Sequence, residues 1–192
     1  MITENGYLEI ILGPMWSGKT SELVKLYKKF TYCNINVLTI NYLYDKRYTN
    51  DSISTHDNIN IPCLMAKNLK DVCDIENKDF KENFVNAKVI LINEGQFFKD
   101  INLWVNLAVN TYHKHIYICG LDGDFERKSF NKFLELIPHC DNVKKFTAIC
   151  AECKNKPAIF THRLVNNKSQ ELIGNDIYKP MCRKCYNKNN IY

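Results

Sequence analysis

The sequence predicts an α/β fold: a parallel sheet with flanking helices, followed by a small metal-tied C-terminal domain. Three observations carry this. Short apolar runs alternate with amphipathic stretches up to about residue 148, the pattern of strands joined by helical crossovers. A glycine-bearing segment, Gly13 to Thr20, lies between the first apolar run and the first helical stretch. Two Cys-x-x-Cys pairs, Cys150/Cys153 and Cys182/Cys185, stand near the C-terminus. The predicted domains are therefore 1–148 and 149–192.

Tyr7 to Leu12 is an apolar run of strand length. Gly13-Pro14-Met15-Trp16-Ser17-Gly18-Lys19-Thr20 then fits G-x-x-x-x-G-K-[ST], the P-loop, in the strand-then-helix context that gives the motif its meaning. Ser21 to Phe30 reads as the helix, and Asn36 to Ile40 as the second strand. Asp45 to Pro62 is polar and reads as a loop or irregular insertion. Lys88 to Asn93 is a third strand, apolar enough to be covered on both faces. Ile101 to Tyr112 is helical, because Ile101, Trp104, Val105, Ala108 and Val109 recur at three and four residues. A further strand begins near His115 and ends at Gly120, and a short helix from Asn131 to Ile137 stops near Pro138. There is no internal repeat.

The chain has 192 residues, 45% hydrophobic and 24% charged, enough for a core. No apolar run approaches the ~20 residues that span a bilayer, and Met1 to Gly6 lacks a basic, signal-like start. A cytoplasmic protein without a membrane partner is expected. The net charge of +5 comes from scattered lysines, which argues against a direct nucleic-acid partner. Lys114-His115 and Lys144-Lys145 read as solvated faces. Nine cysteines, an odd number, argue against a disulfide framework. Cys33, Cys63, Cys73, Cys119 and Cys140 are isolated and read as small buried hydrophobes.

A P-loop wraps backbone N–H groups around nucleotide phosphates, with the positive end of the helix dipole behind them. Lys19 would reach the β- and γ-phosphates, and the Thr20 hydroxyl would hold Mg²⁺. In parallel sheets the ligand sits at the carboxyl ends of the strands. The P-loop, Asn93-Glu94 and Leu121-Asp122 all follow strands and should converge there. The two cysteine pairs, separated by 28 intervening residues, suit one tetrahedral Zn²⁺; four thiolates fill its sphere, so the site is expected to be structural. Their spacing also fits a nucleotide-dependent, zinc-ribbon nucleic-acid-binding ATPase. The intervening strip Gln170-Glu171-Leu172-Ile173-Gly174, followed by Tyr178, favours pairing with a flat ligand instead.

Several segments occur together and in order: the P-loop, Asp45-Lys46-Arg47-Tyr48, Thr55-His56-Asp57, Glu94-Gly95-Gln96-Phe97-Phe98, Leu121-Asp122-Gly123-Asp124-Phe125 with Arg127-Lys128, and the four cysteines. Over about residues 7 to 186 the chain closely resembles the type II thymidine kinases, the zinc-containing family of animals, bacteria and large DNA viruses. The resemblance implies transfer of the γ-phosphoryl group of ATP to the 5′-hydroxyl of thymidine, a step of nucleotide salvage for DNA synthesis. It implies Glu94 as general base, with Lys19 and Arg47 as catalytic cations. The nucleotide contacts it implies are Gly13 to Thr20, Asp45, Lys46, Arg47, Asn93, Glu94, Gly95 and Gln96. Phe125 resembles the phenylalanine that packs on thymine, and Gln170 to Gly174 the lasso that binds the nucleoside through its backbone, with Tyr178 as a hydroxyl partner. Met15, Leu121, Phe97, Phe98 and Phe130 are implied pocket walls. Cofactors are structural Zn²⁺, Mg²⁺ and ATP as donor; dTTP is the implied feedback inhibitor and a homotetramer the implied assembly. Deoxyuridine, which lacks only a methyl group, is a second acceptor.

The chain departs from the family at two points. Gly174-Asn175 stands where two glycines are usual. Asn93 stands where an aspartate usually helps hold Mg²⁺, which predicts weaker metal binding with the chemistry retained.

Overall fold

A computed structural model describes residues 4–45, 52–54, 59–76, 81–172, 174 and 176–190. The first eight strands are β1 (Tyr7–Leu12), β2 (Val37–Tyr42), β3 (Ser52–Ser54), β4 (Asn60–Pro62), β5 (Leu64–Ala66), β6 (Val89–Ile92), β7 (His115–Gly120) and β8 (Asn142–Lys145). Six of them form a wholly parallel sheet in the order β5-β2-β6-β7-β1-β8. The helices are α1 (Lys19–Tyr32), α2 (Glu82–Asn86) and α3 (Ile101–Asn110).

Alternation along the strands decides which helix covers which face. Leu8, Ile10 and Leu12 of β1 join Ile90, Ile92, Ile116 and Ile118 against Ile101, Trp104, Val105 and Ala108 of α3. Ile11, Val89, Leu91 and Cys119 point the other way, onto Leu23, Leu26 and Phe30 of α1. Each of the leucine, isoleucine, valine and phenylalanine side chains, once buried, contributes about 1.5–3 kcal/mol. The sheet is a sandwich filling, and its strands are correspondingly apolar.

α1 begins two residues before the predicted Ser21, because the P-loop runs straight into it. The predicted helix near Asn131 is a 3-10 helix, Phe133–His139, with Pro138 inside it. The polar insertion contains a hairpin, β3–β4, which seats Ile53 and Ile61 against Val24 of α1. One buried residue per strand is too little for a period-2 signal.

The expectation of a solvated face at Lys144-Lys145 holds for Lys145, which is exposed, whereas Lys144 in β8 is half-buried. β8 lies at the sheet edge, where charged residues are usual, with alternate residues exposed. Lys144 pairs with Glu9 at 2.8 Å and Glu22 at 3.4 Å, tying β8 to β1 and α1. Lys145 pairs with Asp122 at 3.0 Å. Lys114 and His115, expected on a solvated face, are buried, which corrects that expectation. Lys114 Nζ donates to the carbonyl oxygens of Phe84, Val85 and Ala87 at 2.8, 3.2 and 2.6 Å, capping the C-terminal end of α2. Burial holds its pKa below the usual lysine value. His115 meets the Asn5 carbonyl and stacks on Tyr7. Of the isolated cysteines only Cys73 and Cys119 are buried; Cys63 and Cys140 are half-buried and Cys33 is exposed.

The C-terminal residues form β9 (Ala148–Ile149), β10 (Pro157–Ala158), β11 (Phe160–Arg163), β12 (Tyr178–Met181) and α4 (Arg183–Asn189). β9–β10 and β11–β12 are two small antiparallel pairs. Ala148, Cys150, Ala158, Met181, Cys182, Cys185 and Tyr186 make a core separate from those of the sheet. Among the described residues no helix is long and apolar enough to cross a membrane.

Candidate active site

The shape of the P-loop follows from its glycines. At Gly13 (φ 155°) a Cβ would come within 2.6 Å of the Phe146 carbonyl oxygen and 2.7 Å of Ser17 Oγ. Gly18 (φ 84°) takes the left-handed conformation just before α1. The first N–H groups of a helix have no intrahelical acceptor, so they are open to an anion. Lys19 Nζ donates to the Pro14 carbonyl at 2.7 Å and Ser17 Oγ at 3.3 Å, which keeps its charge against the loop.

Glu94 lies two residues beyond β6, at φ 54° and ψ 40°. A non-glycine residue pays about 1–2 kcal/mol for that conformation. It turns the chain sharply into a 3-10 turn, Gly95–Phe97, and sets Glu94 on the wall of the cavity above the P-loop. A Cβ on Gly95 would collide with Ile118. Gln96, fully buried, donates from Nε2 to Glu94 Oε2 at 2.6 Å and accepts from the Leu121 N–H at 3.0 Å. It thus fixes the carboxylate between the ends of β6 and β7. Asn93 is also buried, and its amide donates to Asn41 Oδ1 at 3.0 Å. The Asn41 amide nitrogen has no hydrogen-bond partner among the described residues.

The other side of the cavity is the segment between β11 and β12. Gln170 Nε2 donates to Asp124 Oδ2 at 2.9 Å and to the Ser129 carbonyl at 3.1 Å, fastening the lasso beside the β7 end. The Tyr178 hydroxyl donates to the Leu172 carbonyl at 2.8 Å. On the β2 side Glu171 bonds Tyr42; burial and then this carboxylate raise the Tyr42 phenol above its usual pKa. The Met15 N–H donates to Thr161 Oγ1 at 3.1 Å, joining the P-loop to β11. Phe97 and Phe130 meet edge to face at 5.6 Å on the apolar wall.

The four thiols of Cys150, Cys153, Cys182 and Cys185 lie within 4.8 Å of one another, and the Cys153 and Cys182 sulfurs are 3.9 Å apart. A zinc–sulfur distance of about 2.3 Å in a tetrahedron places sulfurs about 3.8 Å apart, so the cluster fits Zn²⁺. Cys182 caps α4 and Cys185 sits in its first turn. Burial pushes the Cys150 thiol up, but N–H groups of Cys182, Cys153 and Glu152 prevail and bring it down to about 6. Desolvation and the other three sulfurs push Cys185 up. Four thiolates this close repel one another unless a divalent cation lies between them.

The cavity wall holds Met15, Trp16, Ser17, Gly18, Lys19, Thr20, Asp45, Glu94, Phe97, Leu121, Phe125, Phe130, Gln170, Glu171, Leu172, Gly174 and Tyr178. Gly13, Pro14, Asn93, Gly95 and Gln96 are buried behind it. Phe98 belongs to the core, not the pocket. Lys46, Arg47, Tyr48, Thr55, His56, Asp57, Ile173 and Asn175 lie outside the described residues. The expected site residues leave out Ser21, Ser54, Gly123, Asp124, Thr161 and Arg163, which also line the cavity. Thr161 and Arg163 share one face of β11, and a four-residue strand shows no periodicity from which to find them.

The family model for thymidine kinase matches residues 6–186. The chain is 41% identical to the thymidine kinase of sheeppox virus over 184 residues, 94% of this chain and 97% of that one. It is 40% identical to the thymidine kinase of vaccinia virus (strain Western Reserve) over 182 residues, 94% of this chain and 97% of that one. It is 40% identical to the cytosolic thymidine kinase of Cricetulus griseus over 184 residues, 95% of this chain and 74% of that one.

Proposed function

The chain belongs to the thymidine kinase family, and on that footing we propose that it transfers the γ-phosphoryl group of ATP to the 5′-hydroxyl of thymidine, giving dTMP, with Glu94 as general base. The observation that carries this reading is one cavity walled by a P-loop, a strand-end carboxylate and a lasso. The donor phosphates lie on the P-loop and Lys19. Thymidine lies between Phe125 and the backbone of residues 170–174, with Met15, Leu121, Phe97 and Phe130 around it. Its 5′-oxygen attacks the γ-phosphorus as the bond to the bridging oxygen breaks, and the negative charge passes to the β-phosphate of ADP. Glu94 takes the hydroxyl proton late in the step. Arg47 adds charge for the transferring group. Glu94→Gln with a dTMP assay tests this; DNA-stimulated ATP hydrolysis without dTMP would overturn it.

Thr20 opens onto the cavity and suits a Mg²⁺ ligand, whereas the Asn93 amide is engaged by Asn41. A bound Mg²⁺ would neutralise the charge that develops on the phosphates. In Asn93→Asp the Asn41 amide gains a carboxylate to donate to, and the site gains a charge. The Mg²⁺ concentration for half-maximal activity is expected to fall about tenfold. A metal titration that superimposes on the wild-type curve refutes the role.

The base of the donor fits a groove that continues from the P-loop past Trp16 to Thr147, Ile149 and Lys156. Trp16 is 46% exposed and Ile149 72% exposed, an apolar platform for a flat ring. The other tryptophan, Trp104, is buried. Trp16 fluorescence should therefore be quenched by ATP and far less by inorganic tripolyphosphate. Equal quenching by both would remove the base from this groove.

The apolar wall reads the thymine methyl for only ~1–3 kcal/mol, so deoxyuridine is a poorer but real substrate. Inhibition by dTTP, a homotetramer and a cytoplasmic location belong to the same proposal, and the family resemblance supports them. So does the division at 148/149. Ala148 already packs with the C-terminal core, which favours drawing the boundary one or two residues earlier.

A further inference from the structure

Arg163 is 6% exposed and lies on the cavity wall, yet the chemistry proposed for the site does not use it. Its guanidinium lies over the Phe125 ring at 3.7 Å. Its Nη1 donates to the carbonyl oxygens of Asn167 at 2.7 Å and Ser169 at 2.5 Å. Its Nη2 donates to the Gln170 carbonyl at 3.1 Å and to the Tyr178 hydroxyl at 2.6 Å. That hydroxyl in turn donates to the Leu172 carbonyl at 2.8 Å. Arginine has five N–H donors, and here the four terminal ones all serve the lasso or its return strand. Nε has no hydrogen-bond partner among the described residues.

From this arrangement we infer that Arg163 is a positioning residue for the nucleoside. One planar cation, seated on the ring of Phe125, sets the course of residues 167–172. The physical requirement is specific. Backbone recognition of a base works only if the lasso carbonyl and N–H groups are already aimed, since ordering them on binding would reduce affinity. A short segment of loop has little apolar surface to hold it. Three carbonyl oxygens converging on one guanidinium supply the order instead, through charge-assisted bonds in a low-dielectric site. Gln170 fastens the same segment to Asp124 and Ser129 by its side chain, so Arg163 orders the backbone and Gln170 ties it down. The role is confined to the acceptor half of the cavity. Among the described residues its hydrogen bonds and ring contacts go to Asn167, Ser169, Gln170, Tyr178 and Phe125, and none to the P-loop, Glu94 or the cysteines.

This role rests on the thymidine kinase reading of the pocket. Arg163→Lys keeps charge and most of the volume but offers one ammonium in place of a planar fork. In steady-state assays with zinc-replete protein, it is expected to raise the thymidine KM roughly 10- to 100-fold, the loss of one or two charged hydrogen bonds. The ATP KM, the kcat at saturating thymidine and the zinc content should stay within about threefold of wild type, a margin below the loss of one such bond. In Arg163→Ala, millimolar methylguanidinium should recover a part of the thymidine affinity, and methylammonium should not. An unchanged thymidine KM in Arg163→Lys overturns the assignment. So does a parallel loss in both substrates or in zinc, which marks a general structural role. If Arg163→Ala does not fold, Arg163→Lys alone decides. A wild-type enzyme that leaves thymidine unphosphorylated would instead sink the reading of the pocket.

Discussion

Glu94→Gln is expected to lower kcat for thymidine phosphorylation by about 10²- to 10⁴-fold, the range over which a positioned general base acts. The substitution changes little else. Glutamine keeps the volume and retains an oxygen for Gln96 Nε2, which lies 2.6 Å from Glu94 Oε2. The left-handed backbone at φ 54° is equally strained for either side chain. What disappears is a group able to take the 5′-hydroxyl proton. Thymidine and ATP should therefore bind within a few-fold of their wild-type affinities, by calorimetry, while dTMP formation collapses. Retention of more than a tenth of kcat would remove Glu94 from the proton-transfer step.

The second large effect concerns the four-cysteine cluster, whose geometry fits zinc. Removing the metal by a chelator, or breaking the site with Cys182→Ser, is expected to abolish thymidine binding. Apparent zinc-binding free energies at such sites are about 10–16 kcal/mol at neutral pH, comparable to the whole stability of an ordinary domain, about 5–15 kcal/mol. The C-terminal core cannot replace that. Three of its seven buried residues are themselves cysteines of that cluster. Without the metal the ends of the lasso come apart, and with them the frame that Arg163 and Gln170 order. The α/β sheet has its own two cores, so ADP should still bind the P-loop, weakened by the loss of the Met15–Thr161 hydrogen bond. Zinc content, ADP binding and thymidine binding measured on one preparation check this. Thymidine affinity that survives complete loss of zinc would contradict it.

Much of this was legible in the residues themselves. The apolar run Tyr7 to Leu12 is β1, and the P-loop lies between it and α1. Ile101, Trp104, Val105, Ala108 and Val109, chosen for their spacing, are the buried face of α3. The cysteine spacing foretold a four-thiol cluster. These are local patterns, and local physics suffices for them: periodicity chooses the buried face, glycine permits the turn, and paired knuckles gather sulfur.

Other features escaped for definable reasons. β8 is polar because it is an edge strand, and its lysine is held by a glutamate 135 residues earlier in the chain, Glu9. Lys114 looked like a surface charge, yet it sits under three carbonyl oxygens that only the tertiary fold brings together. Asn93 looked like a metal ligand with its charge removed; its amide engages Asn41 of β2, which lies beside β6 in the sheet.

The sequence by itself thus determined the kind of chemistry: a phosphate loop, a carboxylate after a buried strand, four thiols and a strip long enough to cover a nucleoside. Each depends on residues close together in the chain, where spacing alone constrains geometry. The tertiary structure alone decided how those parts are aimed. Gln96 bonds Glu94 locally, but it is anchored to the Leu121 N–H only because β6 and β7 are neighbours, and Arg163, whose bonds to the lasso are local, reaches Phe125 only because the C-terminal unit folds back over the sheet's carboxyl end. The contacts to Leu121 and Phe125 join segments tens of residues apart, and such partners are set by packing, which no local pattern records.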